Sequence, residues 1–226
     1  EACPRSKMAE VSPITRQISK DNYDFGSASV DFSLEEVGDC LVFNRHGVVV
    51  PFKKLYQDRK SIIIFVRNFL CYSCKEYVED LSKIPSEILH TVLAHLHLAL
   101  HYPFCSLTGY PYEIYVDPER CIYQKLGLKR EANFTSSESM DSPHVKSGIF
   151  TGQMKSIWRA MTSPAFDFQG DLHQQGGAMI VGPGSNIHFF HCDSNHLDHM
   201  PINWLLQLAG VHQTLDFSHK HKIIHV

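Results

Sequence analysis

Two cysteines lie three residues apart in the stretch FLCYSCKEY, residues 69–77, directly after the apolar run SIIIFV. Thiols at this CxxC spacing can form a redox couple, supply half of a metal site, or pack as ordinary buried thiols. Which of these applies to Cys71 and Cys74 depends on the elements that hold them.

The segment SIIIFVRNF is rich in β-branched and aromatic residues and predicts a strand buried on both faces of a parallel sheet. The apolar residues after the cysteines recur at helical spacing: Tyr77, Val78, Leu81 and Ile84. Pro85 predicts the end of this helix. The pair therefore lies at a strand-to-helix junction, with Cys71 at the helix cap and Cys74 one turn in.

A helix N-terminus stabilises a thiolate through its free N–H groups and the macrodipole. We expect Cys71 to be exposed and acidified, Cys74 to lie deeper, and Lys75 to add a nearby positive charge. One sulfur would attack and the other would resolve, which is the chemistry of a dithiol oxidoreductase and requires no cofactor or metal.

Two other interpretations of the pair stay open. The first is zinc, with further ligands from a group of histidines and a cysteine near the C-terminus: His188, His191, Cys192, His196 and His199. A structural zinc site usually has four organised ligands, and the chain has only one CxxC, so no metal site is predicted. The second is that both thiols simply pack in the core, which their position at a helix start disfavours.

The remaining pattern predicts one domain after a tail. Residues 1–30 show no periodicity and are predicted to be a flexible N-terminal tail, followed by a domain over residues 31–226. CLVF, the turn NRHG and VVVPF predict a hairpin in which Gly47 adopts a positive φ, and KKLYQD predicts a short helix or turn. YEIYV predicts a strand that leads through Asp117-Pro118 into a helix ending near Gly127.

Three later segments complete the prediction. Residues 131–147 are a polar loop, and GIFTGQMKSIWRAM predicts a helix. GGAMIVGPGSNIHFFH predicts a hairpin around a Gly-Pro-Gly turn. HMPINWLLQLAG predicts a final helix, with Asp198 and His199 as caps, Pro201 in the first turn and Gly210 after the end.

The stretch SEILHTVLAHLHLALHYPFC, residues 86–105, contains two competing patterns. Its apolar residues follow helical spacing over most of its length, whereas HLHLAL alternates like a strand for only six residues. The helical pattern is longer, so a helix is favoured over a strand across residues 86–102.

Composition restricts the partners and the setting. The chain has 226 residues and a net charge of −3, so we expect no nucleic-acid partner. No apolar run approaches the ~20 residues that span a bilayer, so we expect no membrane partner. The chain has seven cysteines, and the five other than Cys71 and Cys74 are scattered along it. This pattern favours a reducing, cytoplasmic setting over a disulfide framework.

Four stretches together resemble the peroxiredoxin-like 2 family, closest to its subfamily C, which is described as AhpC/TSA antioxidant enzyme domain-containing: IIIFVRNFLCYSCKEYVEDLSKIP, LTGYPYEIYVDPE, FDFQGDLHQQGG and DHMPIN. The resemblance extends from residue 35 to the C-terminus. It implies a thioredoxin-like α/β fold, with a mixed central sheet of about five strands flanked by helices and a peroxiredoxin-type N-terminal hairpin. It also implies that Cys71 and Cys74 hold the positions of the thioredoxin redox pair.

The chain departs from the family pattern at three places. One is residues 86–105, where the resemblance implies a β-strand beside the active-site strand although the helical spacing is longer. The other two lie near the cysteines. Aligned without a gap, Cys74 falls where peroxiredoxins carry the peroxide-attacking cysteine, but Arg67 and Cys71 replace their upstream Pro and Thr. The hydroxyl that helps to orient a peroxide is therefore missing. The loop where thioredoxins place a cis-proline reads QQGGAM, with Gly176 and Gly177, so we expect a different substrate groove.

The sequence favours a thiol-disulfide redox protein of antioxidant, peroxiredoxin-like character, with Cys71 as nucleophile and Cys74 as resolving thiol. Thioredoxin or glutathione is the candidate reductant and a protein disulfide the candidate client, while the oligomeric state is not predicted. The alternative is a thioredoxin-fold binding or regulatory module without catalysis.

Overall fold

The fold is known from a computed structural model that describes six ranges of the chain: 32–67, 71–91, 94–99, 110–130, 144–146 and 173–217. The predicted tail at 1–30 and the predicted helix at 148–161 lie outside these ranges, as does nearly all of the polar loop at 131–147. The strands are β1 (Leu41–Asn44), β2 (Val49–Pro51), β3 (Lys60–Phe65), β4 (Ala94–Ala99), β5 (Glu113–Val116), β6 (Gly177–Val181) and β7 (Ile187–Cys192). The helices are α1 (Leu34–Gly38), a 3-10 helix (Phe52–Leu55), α2 (Tyr72–Leu81), α3 (Ser86–Thr91), α4 (Cys121–Lys125) and α5 (Ile202–Ala209).

The described strands form one mixed sheet in the order β2-β1-β5-β4-β3-β6-β7. β3 pairs with β4, and β4 with β5, in parallel, while the other neighbours are antiparallel. The hairpin β1–β2 extends one edge of the five remaining strands. This arrangement confirms the predicted mixed sheet and the hairpin that precedes the β3 strand.

β3 divides the hydrophobic core into two layers because its side chains alternate between the faces of the sheet. Ile62 and Ile64 pack with α2 and α5 on one face. Ile63 and Phe65 pack with α1, the 3-10 helix and α4 on the other. Since all of these side chains are buried, β3 is buried on both faces as predicted.

The turns and the helix α4 that neighbouring residues predict are also present. Gly47 has a φ of +74° in the β1–β2 turn, and the Gly-Pro-Gly turn joins β6 to β7. β5 leads through Asp117-Pro118 into α4, which ends two residues before Gly127. Turn residues and strand runs act over a few positions, which is why the sequence predicts them well.

The helix predicted across residues 86–102 is wrong. The structure has the short helix α3 and then the strand β4, which pairs with β3 from Lys60↔Ala94 to Phe65↔Ala99. β4 also pairs with β5, so it occupies the middle of the sheet. A central strand satisfies backbone groups on both neighbours, and this long-range gain outweighs the local helical spacing.

The predicted capping of the last helix is also wrong. Pro201 is the N-cap of α5 and makes no side-chain cap hydrogen bond, while Gly210 ends the helix with a φ of +106°. Asp198 instead accepts hydrogen bonds from the backbone N–H and hydroxyl of Ser194, at 2.8 and 2.5 Å. His199 is buried beside α2. No helix in the described ranges has the length and apolar character needed to cross a bilayer.

Candidate dithiol site

Cys71 is the N-cap residue of α2, with an extended backbone at φ −66° and ψ 108°. Its Sγ accepts a hydrogen bond from the Cys74 backbone N–H at 3.3 Å. The sulfur thus takes the role that a Ser or Asp oxygen has at most helix starts. This confirms the expected junction, in which the end of β3 and the first turn of α2 position both thiols.

The positive charge beside Cys71 comes from Arg67, not from the predicted Lys75. Arg67 Nη1 donates to Cys71 Sγ at 3.6 Å, while its Nε donates to the Gln174 carbonyl at 3.1 Å. Lys75 pairs with Glu79 one turn further along α2. The Gln174 contact holds the guanidinium over the sulfur, so the segment before β6 takes part in building the site.

The Ser73 hydroxyl lies between Cys71 and the loop after β7. Its Oγ lies 3.0 Å from Cys71 Sγ and 2.6 Å from the His196 carbonyl oxygen. A hydroxyl carries one proton, so it donates to only one of these acceptors at a time. With Ser73 donating to the His196 carbonyl, a protonated Cys71 can donate its S–H to Ser73 Oγ. Ser73 can donate to a Cys71 thiolate only if it releases the His196 carbonyl.

Both sulfur-bearing side chains are buried. Cys71 is 8% exposed and Cys74 is 0% exposed. The expectation that Cys74 lies deeper is confirmed, but the expectation of an exposed Cys71 is wrong. Packing from the loop that contains His196, reached through Ser73 and the ring of Tyr72, covers this helix start.

The pKa values of the two thiols are shifted in opposite directions. Burial raises the pKa of Cys71, but the hydrogen bond from the Cys74 side chain and the charge of Arg67 outweigh burial and lower this pKa to about 5. The hydrogen bonds from Ser73 and the Cys74 backbone act in the same direction. Burial, together with the hydrogen bond to Cys71 and its negative charge, raises the pKa of Cys74. Cys71 is therefore the thiolate near neutral pH and Cys74 the thiol.

A small, mostly apolar cavity lies beside Cys74. Its volume is about 10 Å³, and its lining includes Cys74, Asp193 and His199. His199 Nδ1 is buried with no hydrogen-bond partner in the described part of the chain. Burial, followed by the charge of Arg67, lowers the pKa of His199 to about 3, whereas burial and the charge of Asp198 raise the pKa of Asp193. The space is at the lower limit for one water molecule.

Gly176 and Gly177, at the start of β6, lie where the backbone leaves no room for a side chain. A Cβ on Gly176 would lie 2.3 Å from the Phe65 carbonyl oxygen, and one on Gly177 would lie 2.4 Å from the His191 carbonyl oxygen. The backbone here thus presses directly against the ends of β3 and β7.

The histidines that could have supplied a zinc site make separate contacts with backbone carbonyls. His188 Nε2 lies 2.7 Å from the Gly182 carbonyl oxygen, and His191 Nε2 lies 3.1 Å from that of Asp198. Within the ranges that the structure covers, no group of three or more His, Cys, Asp or Glu residues is arranged to hold a metal ion.

Three residues of this site are not predicted from the sequence as partners of the cysteines. Arg67 stands out there only as the replacement of a peroxiredoxin proline four positions before Cys71, and His199 only as a candidate zinc ligand or helix cap. Asp193 and His199 lie more than a hundred residues away in the sequence. Only the pairing of β6 with both β3 and β7 brings the end of β7 to the cysteines.

The chain is similar to proteins of one family over most of its length. A family model described as AhpC/TSA antioxidant enzyme matches residues 76–195, which begin after the two cysteines. Peroxiredoxin-like 2C of Takifugu rubripes is 66% identical and covers 96% of this chain and 99% of its own length. Peroxiredoxin-like 2C of Homo sapiens is 48% identical, with 97% and 100% covered. At 25% identity, prostamide/prostaglandin F synthase of Xenopus tropicalis covers 81% of this chain and 90% of its own.

Solved structures show the same fold at low identity. Peroxiredoxin Q of Xanthomonas campestris superposes with a TM-score of 0.53 at 10% identity, covering 81% of this chain and 96% of its own. Peroxidoxin BcpB of Mycobacterium tuberculosis gives a TM-score of 0.50, also at 10% identity, covering 79% and 99%. The predicted thioredoxin-like fold of peroxiredoxin type is thereby confirmed. The sequence relatives and the family model show that the chain belongs to the peroxiredoxin-like 2 family, subfamily C, within the AhpC/TSA group.

Proposed function

We propose that the protein is a thiol-disulfide redox protein in which Cys71 attacks and Cys74 resolves. The observation that supports this most directly is the pair of donors to Cys71 Sγ, the Cys74 N–H and Arg67, with the Ser73 hydroxyl 3.0 Å from the same sulfur. A buried sulfur that accepts from a backbone N–H and a guanidinium is suited to carry negative charge. A thiolate beside a protonated thiol is the arrangement that disulfide exchange requires.

The exchange proceeds in two steps. The Cys71 thiolate attacks one sulfur of a client disulfide, forms a mixed disulfide and releases the other client sulfur as a thiolate that takes up a proton. Cys74 then loses its proton and attacks Cys71 Sγ, which releases the second client thiol. The client gains two electrons, and the protein pair is oxidised by two electrons to a disulfide. Asp193 and His199 line the same cavity as Cys74, so they are candidates to take its proton.

The same thiolate can reduce a peroxide, but through Cys71 rather than through Cys74. Cys71 attacks one peroxide oxygen and becomes a sulfenic acid, while the other oxygen leaves as water or an alcohol. Cys74 then condenses with the sulfenic acid, and a second water is released. Cys74 holds the position of the peroxide-attacking cysteine in peroxiredoxins, yet it is fully buried and burial raises its pKa. Because the hydroxyl that helps to orient a peroxide is also missing, we expect disulfide exchange to exceed peroxide reduction once the loop that covers Cys71 moves aside.

The setting and reductant remain part of this proposal. The protein would act in the cytoplasm, with thioredoxin or glutathione returning the pair to its dithiol form. The scattered placement of most cysteines in the sequence supports a reducing setting. The more distant relatives named prostamide/prostaglandin F synthase add a prostaglandin-class substrate to those worth assaying.

Burial of both sulfurs favours the second candidate, a binding or regulatory module that uses the fold without turnover. At 8% exposure, Cys71 cannot meet a bulky disulfide unless the covering loop moves. Under this alternative, partner binding and cellular effect persist when both cysteines are replaced by serine.

The deciding experiment measures thiol reactivity and turnover in the same preparations. Alkylation rates of wild-type, Cys71→Ser and Cys74→Ser protein are followed from pH 4 to 10, together with reduction of a small disulfide in the presence of thioredoxin or glutathione. We expect a thiolate that titrates near pH 5 and is lost in Cys71→Ser, and a stable mixed disulfide in Cys74→Ser. Equal, slow alkylation of all thiols, with no turnover by the wild-type protein, would refute the enzymatic proposal.

A further inference from the structure

A second pair of thiols lies on the other face of the sheet. Cys40 Sγ and Cys121 Sγ are 3.0 Å apart, although the residues are separated by 81 positions in the sequence. Cys40 joins the end of α1 to β1, and Cys121 is the first residue of α4. Both pack in the core layer that contains Ile63, while Cys71 and Cys74 belong to the opposite layer.

The position of this pair suits bond formation. A disulfide has an S–S distance of about 2 Å, so the sulfurs need to approach by only about 1 Å. Cys40 is 5% exposed, whereas Cys121 is half-buried and gives a reagent access to the pair. The Asp117 carboxylate accepts from the Cys121 backbone N–H at 3.1 Å and holds the start of α4 in place.

The surrounding contacts show what a bond here would change. β1 is attached to the rest of the sheet through two registered positions on β5, Phe43↔Val116 and Asn44↔Tyr115. On the other side of the same corner, Lys125 donates to the Glu36 carbonyl at 2.9 Å and links α4 to α1. A covalent bond between α4 and the residue before β1 would add to this contact and to the core packing of Val42, and would fasten an edge hairpin whose ladder to β5 is short.

We propose that Cys40 and Cys121 form a second, reversible disulfide that fastens the α1–β1 corner to α4 independently of the Cys71–Cys74 pair. The oxidant is a low-molecular-weight disulfide of the glutathione type. Cys121, the accessible thiol, attacks one of its sulfurs as a thiolate, forms a mixed disulfide and releases one thiol. Cys40 then loses its proton, attacks Cys121 Sγ and releases the second thiol. The protein loses two electrons and two protons, and the oxidant becomes two thiols.

Burial, followed by the hydrogen bond and charge of Cys121, raises the pKa of Cys40 to about 11. Lys125 counteracts this shift and Asp117 adds to it. The order of the two steps follows from this raised pKa and from the burial of Cys40, because a buried thiol that ionises poorly is not suited to begin the reaction. Its attack becomes effective once a mixed disulfide is held within a few ångströms.

The test uses the full chain carrying Cys71→Ser and Cys74→Ser, so the other pair cannot contribute. The native protein is incubated with oxidised glutathione, free thiols are blocked, and a non-reduced digest is analysed by mass spectrometry. We expect a linked peptide pair containing Cys40 and Cys121, lighter by two hydrogen atoms than the separate peptides. We also expect the thermal unfolding midpoint to rise by roughly 5–15 °C and to return on reduction.

Two further variants on the same background provide controls. Cys121→Ser should abolish both the linked peptide and the rise in midpoint. Cys192→Ser removes another half-buried cysteine of the same core layer and should leave both results unchanged. Should any of these variants fold poorly, the linked peptide can be sought in the wild-type protein. Recovery of Cys40 and Cys121 as blocked free thiols, or their linkage only after denaturation or to other cysteines, would overturn the proposal.

Discussion

Arg67 is the residue on which the charge of the dithiol pair most depends outside the pair itself. Its guanidinium contacts Cys71 Sγ and is held there by the Gln174 carbonyl. Arg is suited to this role because its planar group can donate in two directions while it keeps its charge. A cation two residues after β3 thus lies beside the sulfur.

Replacing Arg67 with Met should raise the pKa of Cys71 by roughly one pH unit or more, because a positive charge close to the thiolate is lost. The pH profile of Cys71 alkylation measures this change. Lys75→Met is the matched control, since Lys75 pairs with Glu79 and should leave the profile in place. If the pH profile of alkylation shifts in Lys75→Met but is unchanged in Arg67→Met, then Arg67 is not the residue that lowers the pKa of Cys71.

At the scale of elements, α2 is anchored at its far end by a buried carboxylate. Asp80 is fully buried, and its oxygens accept from Lys83 at 2.6 Å and Lys146 at 2.7 Å. His144 Nδ1 lies 3.0 Å from Asp80, and its Nε2 accepts from the Ile202 N–H at 3.1 Å. Because Nε2 is the acceptor, Nδ1 carries the proton and donates to the carboxylate. The network joins α2, which carries both thiols, to the start of α5.

Asp80→Asn should lower the free energy of unfolding by about 2–4 kcal/mol, because it removes the negative partner of two partly buried lysines and a buried histidine. Burial raises the pKa of Asp80, but the hydrogen bonds from His144, Lys146 and Lys83 outweigh it and lower the pKa to about 2. Chemical denaturation at pH 7 measures the loss.

Glu79→Gln is the control on the same helix, since its pair with Lys75 is partly exposed and should contribute less than about 1 kcal/mol. Equal losses for the two variants would show that Asp80 has no special role in anchoring α2.

For the whole molecule, the low pKa of Cys71 makes stability depend on pH. The folded-state pKa of about 5 lies below the ordinary value of 9.0, so between these values the folded protein binds fewer protons than the unfolded chain. The contribution is therefore complete above pH 9, is lost as the pH falls through 5, and makes stability rise with pH between the two.

Between pH 7 and 9, the free energy of unfolding of wild-type protein should rise relative to that of Cys71→Ser by up to about 1.4 kcal/mol per pH unit, the slope for one proton. Urea denaturation under reducing conditions measures this difference. His199 does not confound it, because its pKa of about 3 keeps it neutral over this range. A constant difference between the two proteins across the range would show that Cys71 is not a thiolate in the folded state.

By itself, the sequence determined the strand-to-helix junction and the position of Cys71 at the start of α2. It also determined both hairpins, because strand runs, helix starts and turns are set by neighbouring residues. Family resemblance added the fold. The tertiary structure decided that residues 94–99 pair as a central strand, that Arg67 rather than Lys75 faces the sulfur, and that Cys71 is covered. It also brought Cys40 to Cys121 across 81 positions. These outcomes depend on contacts between segments far apart in the chain, and no local spacing encodes such contacts.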